Sequence, residues 1–126
     1  MSKPRVLIID DNADHLDILE VELGQRYQVL TALDGLDGYA LALNGDIAAI
    51  VLDVNMPVVD GWTVLQKLRT NSTTRHIPVI ILTALDLDDA DEARAQQFGV
   101  TTVIRKPANL NGIGRELARL IPASGR

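Results

Sequence analysis

Five short apolar runs alternate along the chain with stretches that have the spacing of amphipathic helices. The runs occupy residues 6–9, 27–32, 47–52, 78–82 and 101–105. They are mainly apolar and β-branched and do not alternate with polar residues, which is typical of strands that are buried on both faces. Such strands form a parallel sheet covered by helices on both sides, because each parallel connection needs a long crossover. The sequence therefore predicts an α/β fold of five strand–helix units.

The first helix has the clearest pattern. Leu16, Leu19 and Leu23 recur at helical spacing among acidic residues. Asp11 or Asn12 is a candidate N-cap for this helix, because both side chains can accept a hydrogen bond from the first turn. Further helices are predicted over about 36–43, 62–68, 88–98 and 110–121.

The composition limits what the chain can do. A length of 126 residues suits one domain, residues 1–126, with a core over about 5–121 and a tail that is either a terminus or a truncated linker. The chain has no cysteine, which excludes disulfides and thiolate metal sites. Its net charge of −5 disfavours binding to nucleic acid. It has no apolar run of about 18 residues and no signal peptide, which predicts a cytoplasmic chain without a membrane span.

Polar or functional side chains follow four of the five predicted strands. These positions are Asp10–Asp11, Asp53, Thr83–Ala84 and Lys106–Pro107. Ligands of an open parallel sheet bind outside the carboxyl ends of its strands, so these side chains are predicted to converge there. Each one alone would be an ordinary turn former, helix cap or surface residue, and only their combination indicates a site.

Three carboxylates in one place repel each other unless a cation lies between them. Oxygen ligands without histidine or cysteine suit Mg²⁺, Mn²⁺ or Ca²⁺ rather than zinc, and a set with few other oxygens suits Mg²⁺. A carboxylate beside Mg²⁺ can attack phosphorus, while a lysine and a hydroxyl hold phosphoryl oxygens. The strand-end residues therefore predict an aspartyl-phosphate site.

Four segments together resemble the receiver domain of two-component response regulators. They are VLIIDDN, VLDVNMPVVDGW, PVIILTA and VIRKP, and the likeness extends over about residues 5–121. The D-x-x-M-P-x-x-D-G portion is quite specific. The resemblance implies a flavodoxin-like, doubly wound (βα)5 fold with a five-stranded parallel sheet in the order 2-1-3-4-5.

The resemblance also implies how the cation is held and where the phosphoryl group goes. Asp53 is then the phosphoacceptor and one ligand of Mg²⁺. Asp10 and Asp11 are further metal ligands, with Asp11 the more direct. Asn55 lends its backbone carbonyl to the metal and borders the phosphoryl pocket.

Other matching positions are implied to handle the phosphoryl group after transfer. Thr83 moves toward the group, and Ala84 is the small residue that leaves room for it. Lys106 pairs with a phosphoryl oxygen. Pro107 follows a cis peptide bond, which only X–Pro bonds form at low cost.

Three further positions of the resemblance lie in the fifth strand and in the loop that follows the third strand. Pro57 and Gly61 are implied to shape that loop. Val103 departs from the family, because tyrosine or phenylalanine is usual at this position. The usual rotation of an aromatic ring cannot occur here, which leaves open how a shift of Thr83 reaches the fourth helix, fifth strand and fifth helix.

The implied function is a phosphorylation-dependent signalling switch. A histidine kinase or a histidine phosphotransfer protein donates the phosphoryl group to Asp53, and an unknown downstream protein or output domain responds. The chain is expected to catalyse only its own phosphorylation and dephosphorylation, so it is not classed as an enzyme. No direct contact with nucleic acid or a membrane is expected, and homodimerisation is left open.

Two alternatives are weighed against this function. A degenerate receiver would act as a phosphorylation-independent binding module, which Val103 favours and the intact acidic set opposes. A flavin- or nucleotide-binding domain would need a phosphate cradle, whereas the first turn reads DDNAD. Among the remaining polar residues, His15 and His76 are expected to lie on the surface without a metal role. Arg69 is expected to belong to a scattered, solvated basic patch.

Overall fold

The computed structural model describes residues 3–56, 60–83, 87–100, 102–105 and 110–121. Its strands are β1 (Arg5–Ile9), β2 (Gln28–Ala32), β3 (Ile47–Asp53), β4 (Val79–Thr83) and β5 (Thr102–Arg105). Its helices are α1 (Ala13–Leu23), α2 (Gly35–Asn44), α3 (Gly61–Thr70), α4 (Asp89–Gln97) and α5 (Leu110–Leu120). None of the described helices is long and apolar enough to cross a membrane.

The strands form one sheet in the order β2-β1-β3-β4-β5, and every neighbouring pair is parallel. This confirms the predicted α/β fold and its strand order. The order reverses at β1, because the chain moves from β1 to β2 on one side and then returns to place β3 on the other. A crevice outside the carboxyl ends of β1 and β3 follows from this reversal, and it is where ligands of such sheets bind.

The central strands β1, β3 and β4 are buried on both faces, as their composition predicted, whereas the edge strands β2 and β5 are only partly buried. Leu7 and Ile9 of β1 belong to a core cluster shared with α2 and α3. Val6 and Ile8 belong to a second cluster, shared with α1 and α5. Helices α1 and α3 therefore pack on opposite faces of the sheet.

Among the described residues, four helices begin with a side chain that caps the first turn. Asn12, Asp34, Asp60 and Asp88 each accept a hydrogen bond from the backbone N–H three residues later. A cap of this kind typically contributes about 1 kcal/mol to stability. Asn12 is one of the two candidates that the sequence offered for α1, and it immediately follows the acidic pair at the end of β1.

Glu116 ties the edge strand β5 to α5. Its carboxylate accepts hydrogen bonds from the Arg119 guanidinium at 3.1 Å and from the Thr102 hydroxyl at 2.5 Å. These bonds, with that of Arg119 first, lower the pKa of the Glu116 carboxyl below its usual value. A carboxyl pKa that is lower in the folded state than in the unfolded state means that the ionised form stabilises the fold at neutral pH. This stabilisation is lost as the pH falls and the Glu116 carboxyl takes up a proton.

Arg69 anchors the C-terminal end of α4, a helix that contributes no buried residue of its own. Its guanidinium donates to the backbone carbonyls of Phe98 and Ile77, each at 2.6 Å, and also to those of Arg75 and Gly99. Burial lowers the pKa of this guanidinium. The prediction that Arg69 is solvated is wrong, because it links α3 to the loop before β4 and to the end of α4.

Replacing Arg69 with Met is expected to lower the free energy of unfolding by roughly 2 kcal/mol, because partly buried carbonyls lose their donor. Urea denaturation measures this loss. Arg75→Met is the matched control, since the Arg75 side chain is exposed and its carbonyl would stay in place. Equal losses in the two variants would show that the contacts of Arg69 with carbonyls do not stabilise the fold.

Candidate functional site

Three polar side chains lie at the carboxyl ends of neighbouring strands. Asp53 and Thr83 are the last residues of β3 and β4, and Asp10 directly follows β1. All three are buried, with exposed fractions of 0% for Asp10, 1% for Asp53 and 3% for Thr83. Because β3 pairs with both β1 and β4, the sheet brings these positions together at one edge, as the sequence predicted.

Asp10, Asp11 and Asp53 form a carboxylate cluster. Each residue offers one oxygen, and these oxygens all lie within 4.8 Å of one another, although Asp11 is exposed and the other two are buried. Two charges at this separation repel by about 1 kcal/mol in water and by more in a partly buried site. A divalent cation would remove that repulsion, and a set of oxygen ligands suits Mg²⁺ better than zinc. The residues present therefore fit Mg²⁺.

Asn55 connects the end of β3 to the end of β4. Its backbone N–H donates to Asp53 Oδ1 at 2.8 Å, and its side-chain Oδ1 accepts a hydrogen bond from the Thr83 hydroxyl at 3.1 Å. The first bond closes an Asx-type turn, which orients the carboxylate. The second bond holds the Thr83 hydroxyl beside the carboxylate cluster, where a new anionic group on Asp53 would compete with Asn55 for it.

Gly61 lets the start of α3 approach the end of β3. A Cβ atom at this position would lie 2.4 Å from the carbonyl oxygen of Asp53 and 2.5 Å from Cα of Val54. Contacts that short require the backbone to move, and here it is the backbone that carries the carboxylate of Asp53. The residue that was implied to shape this loop therefore has a steric reason to be glycine.

His15 contacts the site, which the sequence did not predict. Its ring Nδ1 lies 2.5 Å from Asp10 Oδ2, and its side chain is 18% exposed. The expectation that His15 is a plain surface residue is therefore wrong. It lies in the first turn of α1, and that turn starts just beyond Asp10. The spacing of five residues between an acid at a strand end and a histidine in the following helix was the available signal.

Val103 borders a cleft between the sheet and α4. The cleft has a volume of about 580 Å³, and its lining includes Thr83, Arg105 and Ala95 of α4. Val103 is 39% exposed there. The cleft therefore lies between Thr83 of the site and a helix that has no buried residue of its own.

Four of the predicted site residues lie outside the described residues. They are Pro57, Ala84, Lys106 and Pro107. Their implied roles in the loop, the phosphoryl pocket and the pairing with phosphoryl oxygen stay predictions. Arg105, which precedes Lys106, pairs in register with Thr83, so β5 ends at the same edge of the sheet as the site.

Comparison with known families matches residues 6–118 to the response regulator receiver domain. Among curated proteins, the response regulator PleD of Caulobacter vibrioides is 40% identical over 104 residues. The match covers 82% of this chain but only 23% of PleD, so the chain spans about a quarter of that relative's length.

Solved structures share the fold over nearly the whole chain, among them those of two bacterial signalling proteins. Chemotaxis protein CheY4 of Vibrio cholerae aligns with a TM-score of 0.87 and 27% identity, covering 95% of this chain and all of CheY4. The receiver domain of sensor histidine kinase PA1611 from Pseudomonas aeruginosa aligns with a TM-score of 0.83 and 28% identity. That match covers 95% of this chain and 98% of the other, whose structure has a magnesium ion coordinated in its active-site cleft.

Proposed function

Since the chain belongs to the response regulator receiver domain family, we propose that it is a phosphorylation-dependent signalling switch with Asp53 as the phosphoacceptor. The donor is a phosphohistidine on a histidine kinase or on a histidine phosphotransfer protein. The observation that carries the proposal is the position of Asp53, which is 1% exposed at the end of β3 and has its carboxylate within 4.8 Å of those of Asp10 and Asp11.

The chemistry is an in-line transfer to the carboxylate. An oxygen of Asp53 attacks phosphorus, the P–N bond of the phosphohistidine breaks, and its electron pair returns to the imidazole nitrogen. Mg²⁺, held by Asp10, Asp11, Asp53 and the carbonyl of Asn55, would neutralise the charge on the phosphoryl oxygens. The Asn55 N–H keeps the carboxylate oriented during the attack, because it already holds Asp53 Oδ1.

The remaining phosphoryl oxygens are held by two further groups. Lys106 pairs with one of them, as the resemblance implies. Thr83 donates its hydroxyl to another, for which it gives up its bond to Asn55. The phosphoryl group carries a charge of about −2 at neutral pH in place of the single charge of the carboxylate, and this more negative group favours the exchange of partners.

The exchange changes partner binding through α4. Thr83 borders the cleft against that helix, and Arg69 holds the C-terminal end of α4 through the carbonyl of Phe98. A helix without buried residues can shift at low cost in packing. The chain turns over no outside metabolite in this scheme, so it is a switch and not an enzyme.

A phosphorylation-independent binding module is the second candidate. Val103 favours it, since it replaces the aromatic ring that relatives usually carry and leaves the cleft beside Thr83 open. Such a module would bind its partner equally well with and without Mg²⁺ and a phosphodonor. The carboxylate cluster opposes this candidate, because three clustered charges are costly without a cation to hold.

Incubation with acetyl phosphate tests the proposal. In Mg²⁺ we expect the intact mass of the protein to rise by one phosphoryl group, and an excess of EDTA is expected to prevent the rise. Labelling that persists undiminished in EDTA would contradict the proposed metal-dependent transfer. If the protein stays unlabelled and Mg²⁺ leaves its backbone NMR shifts at the strand ends unchanged, the binding module is the better description.

A further inference from the structure

We propose that His15 is a positioning residue for the metal site, which holds the carboxylate of Asp10 in the orientation that Mg²⁺ binding requires. This rests on the proposed function, because it concerns the same cation site. His15 touches neither Asp53 nor the reacting phosphoryl group in the scheme above, and acts through Asp10 alone.

Asp10 needs hydrogen-bond donors because it is 0% exposed. A buried carboxylate is costly unless donors replace the water it has lost. The backbone N–H of Asn12 donates to Asp10 Oδ1 at 3.0 Å, and His15 Nδ1 lies 2.5 Å from Asp10 Oδ2. Each oxygen of the carboxylate thus has a partner on the chain, and two partners on different oxygens fix the rotation of the carboxylate plane.

The direction of the contact follows from its chemistry. An ionised carboxylate can only accept, so the proton of the His15–Asp10 bond lies on Nδ1. Each carboxylate oxygen has two acceptor positions, so Oδ2 can accept from the imidazole and still face a cation or a water bound to it. Supporting hydrogen bonds of this kind orient the ligands of many metal sites, and their removal typically lowers metal affinity about 10- to 100-fold.

The capping of α1 places His15 where it can make this contact. Asn12 Oδ1 accepts from the backbone N–H of His15 at 3.1 Å, while the backbone N–H of Asn12 donates to Asp10. Asp10, Asn12 and His15 are therefore joined in a closed ring of three hydrogen bonds. The same ring begins the helix and orients the acid, so the position of the ligand depends on the first turn of α1.

Isothermal titration of Mg²⁺ into the unphosphorylated protein tests the role of His15. His15→Phe keeps a ring of similar size without the donor, and we expect it to bind Mg²⁺ about tenfold more weakly than the wild type. His15→Asn keeps an N–H near the position of Nδ1 and is expected to restore most of the affinity. His76→Ala is the matched control. His76 is exposed and precedes β4, so it lies at the amino ends of the strands, whereas the site lies at their carboxyl ends.

Thermal unfolding of each variant in metal-free buffer shows whether the fold is intact. If His15→Phe does not fold, Mg²⁺ binding is compared between His15→Asn and His15→Gln instead. The longer side chain of glutamine would place its N–H away from the position of Nδ1, so His15→Gln is expected to bind Mg²⁺ more weakly than His15→Asn. Unchanged or tighter Mg²⁺ binding in the variants without the donor would overturn the positioning role. A wild-type protein that neither binds Mg²⁺ nor becomes labelled would instead overturn the proposed function, and this role with it.

Discussion

The Asp53→Asn variant is expected to take up no phosphoryl group from acetyl phosphate in Mg²⁺, under conditions that label the wild type. An amide oxygen is not a nucleophile toward phosphorus at neutral pH, and the variant also loses one of the three carboxylates around the cation. Mass spectrometry of the intact protein measures the loss, which should be complete. Labelling of the variant to the wild-type extent would refute the assignment of Asp53.

The same variant has a second expected result that does not depend on a phosphodonor. Removing one of three clustered charges should raise the free energy of unfolding in metal-free buffer by about 1 kcal/mol, because it relieves repulsion with Asp10 and Asp11. Asparagine keeps an oxygen that can accept from the Asn55 N–H, so the turn is retained. Urea denaturation with and without Mg²⁺ measures the change, and Mg²⁺ is expected to stabilise the wild type far more than the variant.

Asp46→Asn is the matched control for both results. Asp46 is exposed and directly precedes β3, so it lies at the opposite end of the strand that ends in Asp53. The Asp46→Asn variant loses one negative charge, as Asp53→Asn does, but the substitution lies outside the site. We expect its labelling and its stabilisation by Mg²⁺ to equal those of the wild type.

Replacing Gly61 with Ala is expected to destabilise the fold by roughly 1–3 kcal/mol and to lower Mg²⁺ affinity with it. The added Cβ would lie 2.4 Å from the carbonyl oxygen of Asp53 and 2.5 Å from Cα of Val54. Overpacking against backbone forces a shift that costs about this much. The shift displaces the residue that carries the phosphoacceptor, so acetyl phosphate should label the folded variant more slowly. Urea denaturation and the rate of labelling measure the two effects.

Gly114→Ala separates the steric effect at Gly61 from the general effect of replacing glycine. Gly114 lies inside α5, and a Cβ added there would meet nothing within 4 Å. Alanine in a helix interior is favoured over glycine by up to about 1 kcal/mol, so this variant should be slightly more stable than the wild type. A Gly61→Ala protein as stable and as quickly labelled as Gly114→Ala would rule out the close approach of α3 to β3.

Much of the fold was predictable because its signals are local. Each strand is a short apolar run, and each helix boundary found lies within a few residues of the predicted one, as with α1, which Asn12 caps. Asp53 and Thr83 could be placed at strand ends for the same reason, since the runs end where polar residues begin. Parallel strands then bring those ends to one edge, so the convergence of the acidic residues also followed from the sequence.

The errors concern side chains whose partners are not set by spacing along the chain. Arg69 looked like a surface cation, but the end of α4 comes within its reach only after α3 and α4 have packed beside the sheet. His15 looked like a surface residue of α1, but its ring turns back toward Asp10. In both cases the partner is set by the direction of a side chain relative to another element, and no periodicity encodes that direction.

The sequence by itself determined the order of the elements, the strands that are buried on both faces and the residues that end them, because hydrophobic periodicity and turn residues act locally. It also determined the chemical character of the site, since carboxylates at the ends of parallel strands converge on one edge. Only the tertiary structure decided which atoms meet there. The bond from His15 to Asp10, the link from Thr83 to Asn55 and the close approach of Gly61 to β3 depend on packing in three dimensions, which fixes distances that residue spacing leaves free.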